Sequence, residues 1–144
     1  MLVSQILKTK SDDAVVTSPP SLLISEAAKI LSEKRIGTLV ISKDGKSPDG
    51  ILSERDIVRE LGTAGSGCLD LTVDKLMTTK LVTCSRDDRA DAVLQKMTEG
   101  RFRHMPVLED GNLVGLISLG DVVKARLKEL SMEKDALQGM IMGH

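Results

Sequence analysis

Gly115-Leu116-Ile117-Ser118-Leu119-Gly120-Asp121 is the stretch on which the reading of the fold turns. A glycine, two apolar residues, a serine and an aspartate three positions on describe a short buried strand running straight into a helix. Ser118 falls at the turn and Asp121 one helical turn deeper, with Val122 and Val123 opening the apolar face of the helix. The stretch has an earlier copy, Gly50-Ile51-Leu52-Ser53-Glu54-Arg55-Asp56, followed by Ile57 and Val58. Two readings of each copy stand side by side. In one, Ser-x-x-Asp is a capping box that closes the helix N-terminus. In the other, the unpaired N–H groups and partial positive charge of that terminus favour an anion, and the carboxylate accepts hydrogen bonds from a sugar diol.

Further matches make the chain a tandem duplication. Val3-Ser4-Gln5-Ile6-Leu7 resembles Val73-Asp74-Lys75-Leu76-Met77, Val16-Thr17 resembles Val82-Thr83, and Asp44-Gly45 matches Asp110-Gly111. The repeat is about 65 to 70 residues, its drift falling in loops. Within the first unit, a short helix is expected over Val3 to Lys8, a turn at Ser11-Asp12-Asp13 and a minimal strand at Val15-Val16. Ile24, Ala27, Ala28, Ile30 and Leu31 recur at helical spacing. Thr38 to Ile41 reads as a buried strand, Asp44-Gly45 as a turn, Gly50 to Leu52 as a second strand, and Glu54 to Leu61 as a helix. Gly62 to Gly67 reads as a flexible linker.

The second unit repeats this order. A short helix is expected at Val73 to Met77, a strand at Val82-Thr83 and a helix over Arg89 to Glu99. Strands at Met105 to Leu108 and Leu113 to Ile117 meet at Asp110-Gly111-Asn112, and a last helix starts after Ser118 and outruns its counterpart. The fold class is α/β (α+β), built of tandem β-α-β-β-α repeats. The divisions are residues 1–62, a linker over 63–72, residues 73–131, and a Met-rich tail over 132–144 that frays or packs on another subunit.

Composition narrows the function. The 144 residues carry 41% hydrophobic and 28% charged residues, a globular balance. The net charge is −1 and no polybasic block occurs, which argues against general nucleic-acid or membrane-surface binding. With no Trp or Tyr and with Phe102 the one aromatic residue, base-stacking platforms are all but missing. No apolar run is long enough to span a bilayer and the N-terminus lacks signal-peptide features, so a cytoplasmic protein is expected. Cys68 and Cys84 are expected as free thiols, and with His104 and His144 they form no metal-ligand cluster. No catalytic Ser/His/Asp or Cys/His set and no Gly-rich phosphate loop is evident, so an enzyme is disfavoured.

At this point the chain resembles a pair of cystathionine-β-synthase-type (CBS) domains, the Bateman module, over roughly Val3 to Leu130. Arg101-Phe102-Arg103-His104-Met105-Pro106-Val107 and Glu54-Arg55-Asp56-Ile57-Val58-Arg59 are similar to phrases in small stand-alone bacterial members. The resemblance implies two units stacked about a pseudo-twofold axis, with adenine nucleotides in clefts between them. It also implies a homodimer of two pairs in a disc and an unidentified partner protein that reads the bound state. AMP heads the implied ligands, with ADP, ATP, NAD(H) and adenosylmethionine behind it, and no cofactor is obligatory.

Residue by residue, the resemblance gives Asp121 and Asp56 the ribose hydroxyls, and Ser118 and Ser53 the phosphate or ribose contact. Arg103 and His104 are placed towards the phosphate, with Lys124 or Arg55 able to assist. Met105 and Pro106 would wall the adenine on one side, and Val82-Thr83 and Val16-Thr17 on the other. The units are unequal: Gly37 and Thr38 stand where the second unit has Arg103 and His104, and Asp49 precedes Gly50. The site carrying Asp121 is therefore expected to bind better. Arg35, the counterpart of Arg101, is read as helix-terminating. The leading function is a non-catalytic adenine-nucleotide sensor; the alternative is an interaction module with degenerate clefts that acts through its dimer surface.

Overall fold

The computed structural model describes residues 1–10 and 15–141. The turn expected at Ser11-Asp12-Asp13 and the last residues of the tail, 142–144, lie outside the described residues. In chain order the elements are α1 (Val3–Thr9), β1 (Thr17–Ser18), α2 (Ile24–Lys34), β2 (Thr38–Ile41), β3 (Gly50–Ser53), α3 (Glu54–Ala64), α4 (Ala90–Gly100), β4 (His104–Glu109), β5 (Asn112–Ser118) and α5 (Leu119–Ile141). The mixed α+β architecture is as expected.

The chain forms two compact units. One comprises the described residues of Ala14–Val82 and Leu108–Val114; the other comprises those of Met1–Asp13, Thr83–Val107 and Gly115–His144. In the unit that holds the first repeat, β1 pairs parallel to β2 and β2 antiparallel to β3, with Val40 opposite both Thr17 and Ile51. All of β2 is buried, as its run of β-branched and apolar residues requires. Ile24, Ala27 and Leu31 of α2 close over Leu39, Ile41 and Leu52, with Ile57 and Val73 completing the core. Burial of each such Leu or Ile side chain contributes about 1.5–3 kcal/mol.

Strands β4 and β5 form a two-stranded sheet, of which Leu108–Val114 belong to the unit that holds the first repeat and the remaining residues to the other. Their connection, Asp110 and Gly111, takes left-handed backbone at both positions (φ 52° and 80°), the geometry of a two-residue hairpin turn. Val3 and Ile6 of α1, Val93 and Met97 of α4, Met105, Val107 and Ile117 of the sheet and Val122 of α5 are all buried.

The two repeats exchange their leading segments. Residues of α1 dock beside α4: the Val3 N–H donates to the Asp88 carbonyl at 2.9 Å, Ser4 to Arg86 at 3.0 Å, and Ala90 back to Met1 at 2.9 Å. In the other unit, residues 71–78 do the same for the first repeat. Ile24 donates to the Leu71 carbonyl at 2.8 Å, Val73 to Leu22 at 2.8 Å, and Ile51 and Thr78 bond each other at 3.0 and 2.9 Å.

Several local expectations shift. The first strand is Thr17–Ser18 rather than Val15-Val16, because that is where β2 offers a parallel partner. Val82-Thr83 is not a strand: the partner it would need is taken by Cys84, which bridges Val107 and donates its N–H to the Pro106 carbonyl at 3.0 Å. Gly62 to Ala64 extend α3, and Gly65, at φ 76°, turns the chain into a short 3-10 helix over Ser66–Asp70. Val73–Lys75 is likewise 3-10 rather than α-helical. The last helix does outrun its counterpart, with 23 residues against 11 in α3.

Candidate functional site

Both copies of the motif fold alike. At the first, the Ser53 N–H donates to Asp56 Oδ2 at 2.9 Å and Asp56 N–H returns to Ser53 Oγ at 3.2 Å. At the second, the Ser118 N–H donates to Asp121 Oδ2 at 2.9 Å and Asp121 N–H to Ser118 Oγ at 3.1 Å. The capping reading is therefore fulfilled in both places. A matching backbone bond anchors each helix start: Glu54 N–H reaches the Gly37 carbonyl at 2.9 Å, and Leu119 N–H the Arg103 carbonyl at 2.7 Å.

The surroundings of the two aspartates differ. Asp56 takes a 3.5 Å contact from Arg59 one turn along its own helix, and the Arg59 side chain is largely exposed. Asp121 is bound by Lys10, whose Nζ donates to Oδ2 at 2.9 Å and to the Leu116 carbonyl at 2.8 Å. Each side chain of that pair is about one quarter exposed (26% and 25%). Burial pushes the Asp121 carboxyl up, but the Ser118 N–H and the Lys10 ammonium outweigh it and hold the group below the usual carboxylate range.

Asp121 opens onto a groove of about 510 Å³ lined by Met1, Ile6, Thr9, Lys10, Asp121, Lys124, Ala125 and Lys128. Apolar lining comes from Ile6 and Ala125, and positive charge from three lysines. Asp121, Lys124 and Lys128 share one face of α5, since positions three and four apart on a helix are neighbours. The groove can accept a diol at the carboxylate and an anion at the ammonium groups.

Of the residues singled out in the sequence, Asp121 and Lys124 line this groove; Ser118 supports Asp121 from behind. Arg103 is exposed, His104 half-buried at the start of β4, and neither is among the lining residues. Met105 is fully buried and packs in the core, and the Pro106 carbonyl is occupied by the Cys84 N–H. Thr83 is half-buried, and Val82, in the other unit, is 43% exposed. In the first repeat, Ser53 and Asp56 form the cap, Val16 and Thr17 flank β2 and Arg55 is exposed. Asp49 is turned onto the Lys43 N–H at 2.7 Å.

Lys10 and Lys128 are the residues that sequence reading passed over. Lys128 was legible as the next turn of the Asp121–Lys124 face. Lys10 was not, because 111 residues separate it from Asp121 and only the docking of α1 brings them together.

Two matched repeats that each end in a capped strand-to-helix turn define a tandem-repeat module. The chain belongs to the CBS domain family, whose model matches residues 3–63 and again 73–128. Among solved structures, it is similar to the CBS-domain containing protein ATU1752 from Agrobacterium tumefaciens, at 40% identity and a TM-score of 0.83, covering 88% of this chain and 99% of that one. It is also similar to the CBS domain protein PAE2072 from Pyrobaculum aerophilum complexed with AMP (27% identity, TM-score 0.77, 92% and 99% covered). The CBS domain pair of protein MJ0100, in complex with 5′-methylthioadenosine and S-adenosyl-L-methionine, matches at 27% identity and a TM-score of 0.78, with 90% and 98% covered.

Proposed function

We propose that this chain is a non-catalytic sensor of adenine nucleotides, with the adenosine and first phosphate of the ligand held in the α1–α5 groove. The observation that carries the reading is Asp121 set beside Lys10, Lys124 and Lys128 in one groove. The ribose diol donates to the Asp121 carboxylate, and the phosphate takes an ammonium. Lys124 and Lys128 supply that ammonium, so the Lys10–Asp121 pair stays intact and no buried charge is left uncompensated when the ligand binds. The AMP complex of PAE2072 and the adenosyl ligands of MJ0100 support an adenosine moiety as the common part. The first repeat, with Asp56 held by Arg59 and with Gly37 where the second has Arg103, is the weaker site. The module passes its bound state to a partner protein, and it can shift that partner only by the difference in ligand affinity between two states.

A thermal-shift panel of adenosine, AMP, ADP, ATP, NADH and adenosylmethionine tests this. A ligand at a hundredfold excess over its Kd raises stability by about 2.7 kcal/mol. Asp121→Ala should abolish the shift and Asp56→Ala should leave most of it. If none of the compounds moves the melting temperature, the sensor reading is wrong.

One observation favours the second reading, an interaction module. Val123, Leu127, Leu130, Leu137 and Ile141 of α5 are exposed, and their spacing alternates between three and four apart from a Lys134 in the series. That is the seam spacing of a helix that pairs with another helix. In this reading a second copy covers the seam, and Leu130→Lys with Leu137→Lys should convert a dimer into a monomer in sedimentation equilibrium. A wild-type monomer at all concentrations would count against it.

A further inference from the structure

The groove holds more positive charge than a nucleoside can use. Three lysine ammonium groups line it against one lining carboxylate, Asp121, and the Met1 ammonium is taken up by Glu129. Lys10 is committed to that carboxylate and to the Leu116 carbonyl. Lys124 and Lys128 enter no ion pair among the described residues, and both are exposed to solvent. They follow Asp121 along one face of α5, so an acceptor for hydroxyls lies at one end of a row of cations. From Asp121 to Lys128 the helix rises about 10 Å, more than one phosphate can bridge.

We propose that this groove selects its ligand by phosphate count, taking a nucleoside di- or triphosphate in preference to a monophosphate or a sulfonium. The ribose lies at Asp121 and the phosphate chain runs along Lys124 towards Lys128. The ribose end rests on the sensor reading above; the phosphate end rests on the lysines alone. The first phosphate meets Lys124 and the later ones reach Lys128 with growing negative charge, and charge-assisted hydrogen bonds of this kind are the stronger class. Lysine serves as a mobile point charge that can follow a flexible chain, where arginine would impose a fixed fork. A sulfonium would add a positive charge to a lining that already has a surplus of it, and like charges repel. Because the outer lysines face solvent, the preference is screened by salt.

Calorimetric titration of the full chain with adenosine, AMP, ADP, ATP, adenosylmethionine and inorganic tripolyphosphate tests the proposal, in wild type and in Lys124→Gln and Lys128→Gln. Affinity should rise from AMP through ADP to ATP. Lys128→Gln should weaken ATP about tenfold, the worth of one charge-assisted bond, and AMP less than twofold. Raising the salt should compress the series. If adenine compounds bind equally whatever their phosphate count, or if Lys128→Gln leaves ATP untouched, the selection by phosphate falls and the sensor reading stands. If no adenine compound binds while tripolyphosphate does, and Lys128→Gln weakens it, the sensor reading falls and the phosphate row stands. If neither class binds, both fall.

Discussion

Lys10 and Asp121, 111 residues apart in the chain, meet at 2.9 Å and tie the end of α1 to the first turn of α5. Lys10 uses the same ammonium to hold the Leu116 carbonyl. The pair thus fixes the candidate ribose acceptor against the strand that precedes it. Both side chains are mostly shielded from water, so the bond should exceed an ordinary surface pair. Lys10→Met and Asp121→Asn should each destabilise the protein by about 1 kcal/mol in urea unfolding, and the double variant should lose less than the sum.

That pair also sets a pH dependence. The Asp121 carboxyl is held below its ordinary value of 3.8 in the folded chain, so the unfolded chain binds its proton first as the pH falls. The stability it contributes is complete above that ordinary value and is lost as pH drops through the lowered folded one. The stability difference between wild type and Asp121→Asn should be flat near neutrality and shrink only in strong acid. A difference that changes between pH 6 and 8 would assign the effect to another group.

The glycines that open the two motif copies seat the exchanged segments. A Cβ on Gly115 would meet Leu7 Cδ2 at 2.7 Å, the far end of a side chain that can turn. On Gly50 it would meet Met77 Sδ at 2.6 Å and the Thr78 carbonyl at 3.0 Å, and that carbonyl is fixed by its bond to Ile51. Gly50→Ala should therefore cost about 2–3 kcal/mol and Gly115→Ala about 1 kcal/mol, measured by denaturant titration. Equal costs would mean that the backbone at Thr78 yields as easily as Leu7.

Arg35 and Arg101 end α2 and α4 in left-handed backbone, at φ 54° and 56°. An L-residue there carries a steric cost that glycine escapes, set against the greater freedom of glycine in the unfolded chain. Arg101→Gly should raise stability by about 0.5 kcal/mol, read as a higher urea midpoint with unchanged slope.

Burial pushes the Cys84 thiol from 9.0 to about 12, with Asp88 adding to the effect and Lys96 opposing it. At pH 8 the folded protein then holds about a thousandfold less thiolate at this position than the unfolded chain. Alkylation of Cys84, followed by peptide mass spectrometry, should be slow until urea unfolds the protein. Since the folded value is raised, stability is complete below about 9 and is lost as pH climbs towards about 12.

Periodicity reached the elements whose burial is local. Ile24, Ala27 and Leu31 marked the inner face of α2, and the unbroken run Thr38 to Ile41 marked a strand buried on both sides. The capped turns at Ser53 and Ser118 were legible because serine and aspartate three apart make their bonds within one helical turn. What escaped depended on partners far along the chain. Val82 and Thr83 have strand-forming side chains, but propensity does not supply a neighbour, and the ladder starts at Cys84 instead. Lys10 ends an unremarkable short helix, and nothing near it in sequence says that an aspartate waits at position 121.

The exchange of leading segments has a consequence for how the duplication holds together. Were the chain cut near Gly65, the fragment 66–144 would leave the seat of Val3 and Ile6 bare, and the fragment 1–64 would lack Val73 from its core. Each half is thus a lock missing its key, and the other half carries it. Two separate copies of such a repeat would complete each other only at high concentration, by swapping segments. Joining them in one polypeptide makes that swap intramolecular, and it folds at any dilution.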